Sequence, residues 1–271
     1  MKLLTLNTHS WMETEQLDKI RQLADFINEQ KYDVIALQEV NQQQNSRAVE
    51  ISALAGYHAS DPETVIREDN FAYLLREQLD QPYSWTWVTT HKTFSVYDEG
   101  LALLSRKPIT GTMHDYVSQL KDHNNYRTRK IAGIETEVLG QAVWFFSAHY
   151  GWWNDEESFR GQWDRTEDLL QSYRSRQMYI MGDFNNVAEV RDEGYDYVVS
   201  RGWHDLYHAA AQRDDGATVT KAIAGWKNNE AKLRIDYIFS SQPVKALRSQ
   251  VVLNGTNGPV VSDHYGVAVE L

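Results

Sequence analysis

Four short apolar runs in this chain each lead into a polar signature, and this recurring pattern is the strongest constraint on its fold. Runs of about four leucine, isoleucine, valine or methionine residues are typical of buried strands. The signatures are Leu6-Asn7-Thr8-His9, Gln38-Glu39, Gly182-Asp183-Phe184-Asn185 and Ser262-Asp263-His264. Together they supply Asn, Glu, Asp and His side chains, the set needed to hold a hard divalent cation and to attack a phosphate ester.

Hydrophobic periodicity divides the rest of the chain into strands and helices. Apolar residues at helical spacing predict a helix over 14–30, and further helices are predicted over 47–55, 158–173 and, more weakly, 204–211. Strand-like segments are predicted over 2–8, 32–38, 70–88, 100–105, 111–117, 130–138, 142–149, 178–181, 233–239, 246–253 and 265–271.

The order of these segments indicates the fold class. No repeat, low-complexity tract or flexible linker divides the sequence, so we predict one domain over residues 1–271. Strands outnumber helices, and helices fall between strands in both halves of the chain. Two sheets packed face to face, with the helices outside, would satisfy that pattern.

The charge balance narrows the possible partners. The net charge is −11, from 27 basic and 38 acidic residues, and the one short basic stretch is Arg127-Thr128-Arg129-Lys130. Non-specific binding to nucleic acid needs many Lys and Arg side chains, so no long nucleic-acid partner is expected.

Cysteine content and hydrophobicity indicate where in the cell the protein is expected. The chain has no cysteine, which excludes disulfides and thiol catalysis. The first residues turn polar too quickly for a signal peptide, and no apolar stretch approaches the ~20 residues of a membrane span. We therefore expect a cytoplasmic protein without a membrane or obligate protein partner.

Asp183 and Asn185 are the most informative candidate site residues. Residues two apart in an extended segment point to the same side, so both side chains would project into one cleft while Phe184 faces the core. A carboxylate and an amide are oxygen donors suited to Mg²⁺. An Asx turn after a strand is the alternative interpretation, and it explains less of the Gly-Asp-Phe-Asn segment.

Asn7 and Glu39 each follow an apolar run and are weak signals alone. If their strands are adjacent, the two side chains emerge side by side at one sheet edge and could share a metal. The helix predicted between the two strands favours this adjacency.

The pair Asp263 and His264 offers proton-transfer chemistry, because a histidine can exchange a proton near neutral pH. Asp236 lies inside an otherwise apolar strand, where an unpaired carboxylate would be unstable. We predict that Asp236 orients His264. A salt bridge between Asp236 and Arg234 is the serious competing interpretation.

His149 ends a predicted strand and could donate to a phosphate oxygen or to the leaving group, with Glu99 as the residue that holds it. Trp152 and Trp153 follow it in a predicted loop. Tryptophan usually belongs to the core or its edge, but rings beside polar site residues can also stack on sugar faces.

With these residues in place, the sequence resembles the endonuclease/exonuclease/phosphatase family over essentially its whole length. The resemblance is specific because six segments occur in the family's order. They are 6–8, 37–39, 99–109, 182–185, 234–239 and 262–265.

The resemblance implies a four-layer α/β/β/α sandwich of two mixed, mostly antiparallel sheets flanked by helices, with the site at one end of both sheets. It implies a principal Mg²⁺, for which Mn²⁺ could substitute, and it assigns a role to each candidate residue. Glu39, Asn7 and Asp263 would form the metal region, and Asp183 would orient or activate the attacking water. Asn185 and either Arg127 or Arg129 would contact the phosphate, and His264 with Asp236, and His149 with Glu99, would complete the catalytic set.

The overall spacing is most similar to the small bacterial members of the sphingomyelinase-like branch of this family, which include sugar-phosphate phosphatases. We therefore expect a Mg²⁺-dependent phosphatase of a small phosphorylated sugar, for example maltose 6′-phosphate, with Trp152 and Trp153 contacting the substrate. A nuclease or other phosphodiesterase is the alternative enzyme. A non-catalytic carbohydrate-binding module is a more distant alternative.

Overall fold

Two β-sheets face each other in the computed structural model, which describes residues 1–223, 225–227 and 229–271. The strands are β1 Lys2–Asn7, β2 Val34–Gln43, β3 Ser84–Thr93, β4 Tyr97–Ser105, β5 Ile109–Tyr116, β6 Lys130–Val138, β7 Gln141–His149, β8 Met178–Asp183, β9 His204–Asp205, β10 Ala210–Arg213, β11 Asp236–Ser240, β12 Ala246–Val252 and β13 Gly266–Glu270. The α-helices are α1 Gln16–Gln30, α2 Phe71–Arg76, α3 Phe159–Leu170, α4 Gly194–Ser200 and α5 Leu206–Ala209.

The sheets are mixed and contain seven and six strands. Their orders are β10-β12-β13-β1-β2-β4-β3 and β5-β6-β7-β8-β11-β9. The neighbouring pairs β1–β2 and β7–β8 are parallel, and a helix (α1 or α3) lies between the two strands of each pair in the chain. The pair β10–β12 is also parallel, and the remaining neighbours are antiparallel; short turns connect β3 to β4 and β6 to β7.

Side-chain alternation along the strands builds the layers. Leu3 packs in the core between the two sheets, whereas Leu4 belongs to the cluster that contains Ile20 and Leu23 of α1. On the other sheet, Ile180 packs in a third cluster with residues of α3 and α4. Because central strands are buried on both faces, their sequences read as continuous apolar runs. The predicted α/β/β/α sandwich is confirmed.

Two predicted segments are wrong. Residues 47–55 do not form an α-helix: one 3₁₀ turn, Ile51–Ala53, is present, and none of its residues is buried. The backbone before that turn is extended instead, because Val49 N–H donates to the carbonyl oxygen of Ile66 at 2.8 Å and Glu68 N–H donates to that of Arg47 at 2.9 Å. Residues 70–88 begin with α2 instead of a strand, because Asn70 caps the helix by accepting from the backbone N–H of Tyr73 at 3.1 Å.

Smaller differences concern the segment 204–211 and the region before it. A single turn of helix, α5, lies between two short strands there. Helix α4 has no counterpart among the predicted elements. None of the helices formed by the described residues is both long and apolar enough to cross a bilayer.

Candidate active site

Strand register brings the polar signatures to one end of the sandwich. Asn7 pairs with Gln38 in the parallel β1–β2 ladder, so Asn7 and Glu39 leave neighbouring strands at the same edge. In the other sheet His149 pairs with Asp183, and Asp183 also pairs with Asp236. The carboxyl ends of two parallel strand pairs, one in each sheet, therefore form the floor of a shared cleft.

A β-bulge aims Glu39. The β2–β4 register shifts between Leu37 and Val40, and Glu39 adopts a left-handed φ of 50°. The hydroxyls of Thr8 and Ser10 donate to its carbonyl oxygen at 2.9 and 2.7 Å, which holds this unfavourable backbone. Bulges of this kind redirect a side chain, and here the redirected side chain is a predicted metal ligand.

Asn7 links the carboxylates of the two sheets. Its side-chain N–H₂ donates to Glu39 Oε1 at 2.9 Å and to Asp183 Oδ2 at 3.1 Å. Burial raises the pKa of Asp183 to about 7, and the charge of Asp236 adds to this effect. Burial also raises the pKa of Glu39 to about 7, with the charges of Glu99 and Asp263 contributing.

This concentration of carboxylates fits a divalent cation. Raised pKa values show that the site disfavours negative charge, and a bound cation would relieve that repulsion. The ligand atoms of the buried group Asp183, Asp236 and His264 lie within 4.8 Å of one another, and His9, Glu13 and Asp263 form a second such group. Carboxylate and amide oxygens are the donors that Mg²⁺ prefers.

Asp263 lies on the same side of the cleft as Glu39. Its Oδ1 is 3.7 Å from His9 Nδ1, which in turn contacts Glu13 Oε1 at 2.7 Å. His9 belongs to the first polar signature, but its position beside Asp263 could not be read from the sequence. Its role in the site is a structural finding.

His264 is held by Asp236, as predicted. His264 Nδ1 lies 3.0 Å from Asp236 Oδ2, and its Nε2 points towards Asp183 Oδ2 at 3.8 Å. Burial lowers the pKa of His264, but the charges of Asp236 and Asp183 outweigh burial and raise it to about 10. The ring is therefore a cation that donates hydrogen bonds at neutral pH.

The competing interpretation of Asp236 does not match the structure. Arg234 Nη1 bonds instead to Asp205 Oδ2 at 2.7 Å, and its guanidinium lies over the rings of Tyr207, Tyr195 and Tyr237. This buried pair supports the wall behind the site without entering it.

His149 occupies the centre of the cleft but does not pair with Glu99. The carboxylates within 4.0 Å of its ring are Asp183 Oδ2 at 3.5 Å and Glu39 Oε1 at 4.0 Å. Burial holds the pKa of His149 well below its usual range. A neutral ring can accept a proton, and its Nε2 is 3.1 Å from Asn185 Nδ2.

The predicted Glu99–His149 pair is corrected by strand register. Glu99 is the cross-strand partner of His91, because a bulge in β3 between Thr89 and His91 changes the β3–β4 pairing. His91 Nε2 lies 3.4 Å from Glu99 Oε1. No sequence pattern pointed to His91, since it stands alone in its strand.

The two arginines have different environments. The Arg127 Nε donates to Asp155 Oδ1 at 2.8 Å, and its guanidinium lies over the Tyr126 ring. Arg129 is buried, lines the pocket that contains Glu39 and His149, and its Nε has no hydrogen-bond partner among the described residues. Arg129 is thus the arginine available to an anionic ligand in this pocket.

Two neighbouring cavities that share lining residues make up the cleft. The charged pocket, defined by Glu39, Arg129, His149, Asp183 and His264, has a volume of about 240 Å³. The aromatic cavity beside it has a volume of about 520 Å³. Its lining includes Tyr126, Trp152, Trp153, Asn185, Glu193 and Trp226. Tyr126, Trp152 and Asn185 line both spaces and form the boundary between them.

A two-sheet sandwich with carboxylates, amides and histidines at one end defines a metal-dependent phosphoester hydrolase. A family model described as endonuclease/exonuclease/phosphatase family matches residues 13–264. The solved structure of an endonuclease/exonuclease/phosphatase family protein from Leptotrichia buccalis is 37% identical, with a TM-score of 0.88. That match covers 100% of this chain and 98% of the other. This protein belongs to the endonuclease/exonuclease/phosphatase family.

More distant solved structures share the fold. The mannosyl-6-phosphatase of Bacteroides thetaiotaomicron is 16% identical with a TM-score of 0.67, covering 100% of this chain and 98% of that chain. The beta toxin of Staphylococcus aureus is 16% identical with a TM-score of 0.66, covering 99% of each chain. No curated protein matches the sequence.

Proposed function

We propose that this protein is a Mg²⁺-dependent phosphatase that removes the phosphoryl group from a small phosphorylated sugar, with maltose 6′-phosphate as an example. We place it in the sphingomyelinase-like branch of the family. The observation that carries the proposal is that the charged pocket and the aromatic cavity lie side by side and share lining residues. The first offers groups for a phosphoryl group, and the second offers ring faces for the sugar that leaves.

The residues of the charged pocket divide the chemistry between them. Glu39, with Asn7 and Asp263, would hold the cation, which when bound supplies polarisation of a phosphoryl oxygen and neutralises developing charge. The Asp183 carboxylate accepts a hydrogen bond from the attacking water and orients it. The cationic His264 and the guanidinium of Arg129 donate to the phosphoryl oxygens, which stabilises the transition state electrostatically.

Residues at the boundary between the charged pocket and the aromatic cavity would contact the ester bond and the leaving sugar. Asn185 Nδ2 would donate to a phosphoryl oxygen in place of its contact with His149 Nε2, while its other N–H stays on the Tyr150 carbonyl oxygen. In this proposal the ester bond lies between the charged pocket and the aromatic cavity. Binding the sugar against Trp152 and Trp153 would align the leaving oxygen opposite the water.

The charges of the aromatic cavity favour a phosphomonoester over a phosphodiester. Glu193 is an acidic lining residue, Asp155 is already paired with Arg127, and the described lining itself contains no Lys or Arg. A nucleic acid would bring further phosphates into this space, where they would need cationic partners. A neutral, hydroxyl-rich sugar needs only ring faces and hydrogen-bond acceptors. The mannosyl-6-phosphatase of similar fold is consistent with this substrate class.

A substrate panel tests the proposal. Phosphate release is measured with Mg²⁺, Mn²⁺ or a chelator on maltose 6′-phosphate, glucose 6-phosphate and mannose 6-phosphate, beside bis(p-nitrophenyl) phosphate and supercoiled plasmid. We expect metal-dependent turnover of sugar monoesters, with kcat/KM at least tenfold above that of the diester. Turnover confined to the diester or to plasmid nicking would establish the phosphodiesterase alternative. Sugar binding without any turnover would establish a binding module.

The arginine pair provides a matched control for the phosphate site. Arg129→Ala should lower kcat/KM by about 100-fold or more, because a charge-assisted contact to the phosphoryl group is lost. Arg127→Ala removes the same charge from the rim and should change kcat/KM less than threefold. Equal effects of the two substitutions would show that Arg129 acts only through overall charge.

A further inference from the structure

Trp226 joins the aromatic cavity to the charged pocket through one hydrogen bond. Its ring lines the cavity, and its indole Nε1–H donates to Asn185 Oδ1 at 3.3 Å. On the other side of the same amide, Asn185 Nδ2 faces His149 Nε2 at 3.1 Å and donates to the Tyr150 carbonyl oxygen at 3.0 Å. The indole therefore lines the aromatic cavity and holds a residue that also lines the charged pocket.

The chemistry of the two groups makes this contact directional. An asparagine amide can turn by half a rotation and exchange its oxygen and nitrogen, whereas an indole N–H can only donate. With Trp226 beside it, Asn185 is favoured in the orientation that places its oxygen on the indole. The same orientation directs one amide N–H to the Tyr150 carbonyl oxygen, which also favours it, and the other to His149 Nε2 and the phosphoryl position.

Local structure holds Trp226 in place. Its backbone N–H donates to the carbonyl of Ile223 at 3.0 Å, and Ile223 packs in a small apolar cluster with Val219 and Leu233. Gly225, with φ of +82°, allows the chain to pass close to the Trp152 ring, because a Cβ there would lie 2.5 Å from a ring carbon.

We propose that Trp226 is a positioning residue that fixes the donor orientation of Asn185 and, through its ring, makes that orientation sensitive to the sugar in the aromatic cavity. The inference rests on the proposed function, since it takes Asn185 as a phosphate contact and the cavity as the leaving-group site. Binding energy from the sugar then appears partly as turnover instead of affinity alone.

Kinetics of indole substitutions test this role. Trp226→Phe keeps a ring but removes the donor, and it should lower kcat on maltose 6′-phosphate about five- to tenfold with little change in KM. Trp226→Ala also removes the ring and should raise KM for this substrate. Trp203→Phe makes the same exchange at an indole that bonds Glu167 outside the cleft, and it should change kcat less than twofold.

A double-mutant cycle separates positioning from a structural effect. In the Asn185→Ala background, Trp226→Phe should change kcat less than twofold, because the amide that it orients is gone. Additive effects in folded variants, or an unchanged kcat in Trp226→Phe, would overturn the inference. If the wild type hydrolyses a diester instead of sugar phosphates, the substrate proposal fails and the same cycle on that diester still decides the role of the indole N–H.

A measurement on the resting protein covers the case of no turnover. The indole N–H proton of Trp226 should resonate upfield in Asn185→Ala relative to the wild type, since it loses its acceptor. An unchanged resonance would show that the hydrogen bond is absent and would overturn the inference independently of any activity.

Discussion

The substitution Gly182→Ala tests whether close approach of β7 and β8 positions the catalytic groups. Gly182 has φ of +149°, and a Cβ there would lie 1.9 Å from the carbonyl oxygen of Ala148. Reaching even a tight 3.0 Å contact would require the strands to move by about 1.1 Å, which is 3.0 minus 1.9. The next register pair is His149 and Asp183, so the movement falls directly on the site.

The magnitude follows from two contributions. Backbone strain at such a φ contributes about 1–3 kcal/mol and overpacking about 1–3 kcal/mol, a loss of about 2–6 kcal/mol in unfolding free energy. For 271 residues the unfolding entropy is about 0.57 kcal/mol/K, so Tm should fall by about 4–10 °C. A displacement of about 1 Å between reacting groups should lower kcat by about 100-fold.

Differential scanning calorimetry and phosphate release measure the two effects, with Gly140→Ala as the matched control. Gly140 also has a positive φ, +79°, but a Cβ there would meet nothing within 4 Å. The control should lose about 1–2 kcal/mol from backbone strain and keep full turnover. The reasoning is refuted if Gly182→Ala matches Gly140→Ala in both Tm and kcat.

Three further predictions address the supports of the site. Asp236→Asn removes the carboxylate that holds His264, so kcat should fall about 10²–10⁴-fold in an assay of folded protein, and a loss below tenfold would contradict this role. Arg234→Met leaves Asp205 buried without its cation and should lower the unfolding free energy in urea by about 3–5 kcal/mol; a loss under 1 kcal/mol would show that the pair contributes little. Burial lowers the pKa of His91 to about 3, so the unfolded chain binds a proton below pH 6.5 that the folded protein does not, and stability is lost as pH falls from 6.5 towards 3. In urea unfolding of His91→Gln, the decrease of the unfolding free energy with falling pH should be smaller by up to about 1.4 kcal/mol per pH unit. If the variant keeps the pH dependence of the wild type, His91 is excluded as its source.

The sequence was informative where function and burial act on the same strand. Strands between two packed layers must be apolar along their length, so the polar residue at which each run stops stands out. Asn7, Glu39, Asp183 and His264 were found in this way, and the structure brings all four to one cleft.

The sequence was uninformative where a bulge or a loop decides the neighbour. Pairing of side chains across strands depends on register, and the bulge near His91 gives Glu99 a partner that no periodicity indicates.

 Loop conformation likewise decides the neighbours of the arginines and tryptophans, and no sequence pattern indicates it. The loop that carries Arg127 and Arg129 buries the second against the pocket, and the contact of Trp226 with Asn185 joins residues 41 positions apart.

Helix predictions failed for a related reason. The segment 47–55 contains residues of adequate helix propensity, but its first residues pair in extended form with residues 66–68. In contrast, the short helix α2 was missed although Asn70 caps it, because the aromatic and branched residues that follow favour a strand on local pattern alone. Tertiary packing decided both segments.

The most direct test of the central claim is the Mg²⁺ dependence of phosphate release from maltose 6′-phosphate by the wild type and by Glu39→Gln. We predict turnover that a chelator abolishes and that Mg²⁺ restores, with an apparent Mg²⁺ affinity at least about 100-fold weaker in Glu39→Gln. Turnover that persists in chelator, or an identical Mg²⁺ dependence in the two proteins, would contradict the assignment of this cleft as a metal-dependent phosphatase site.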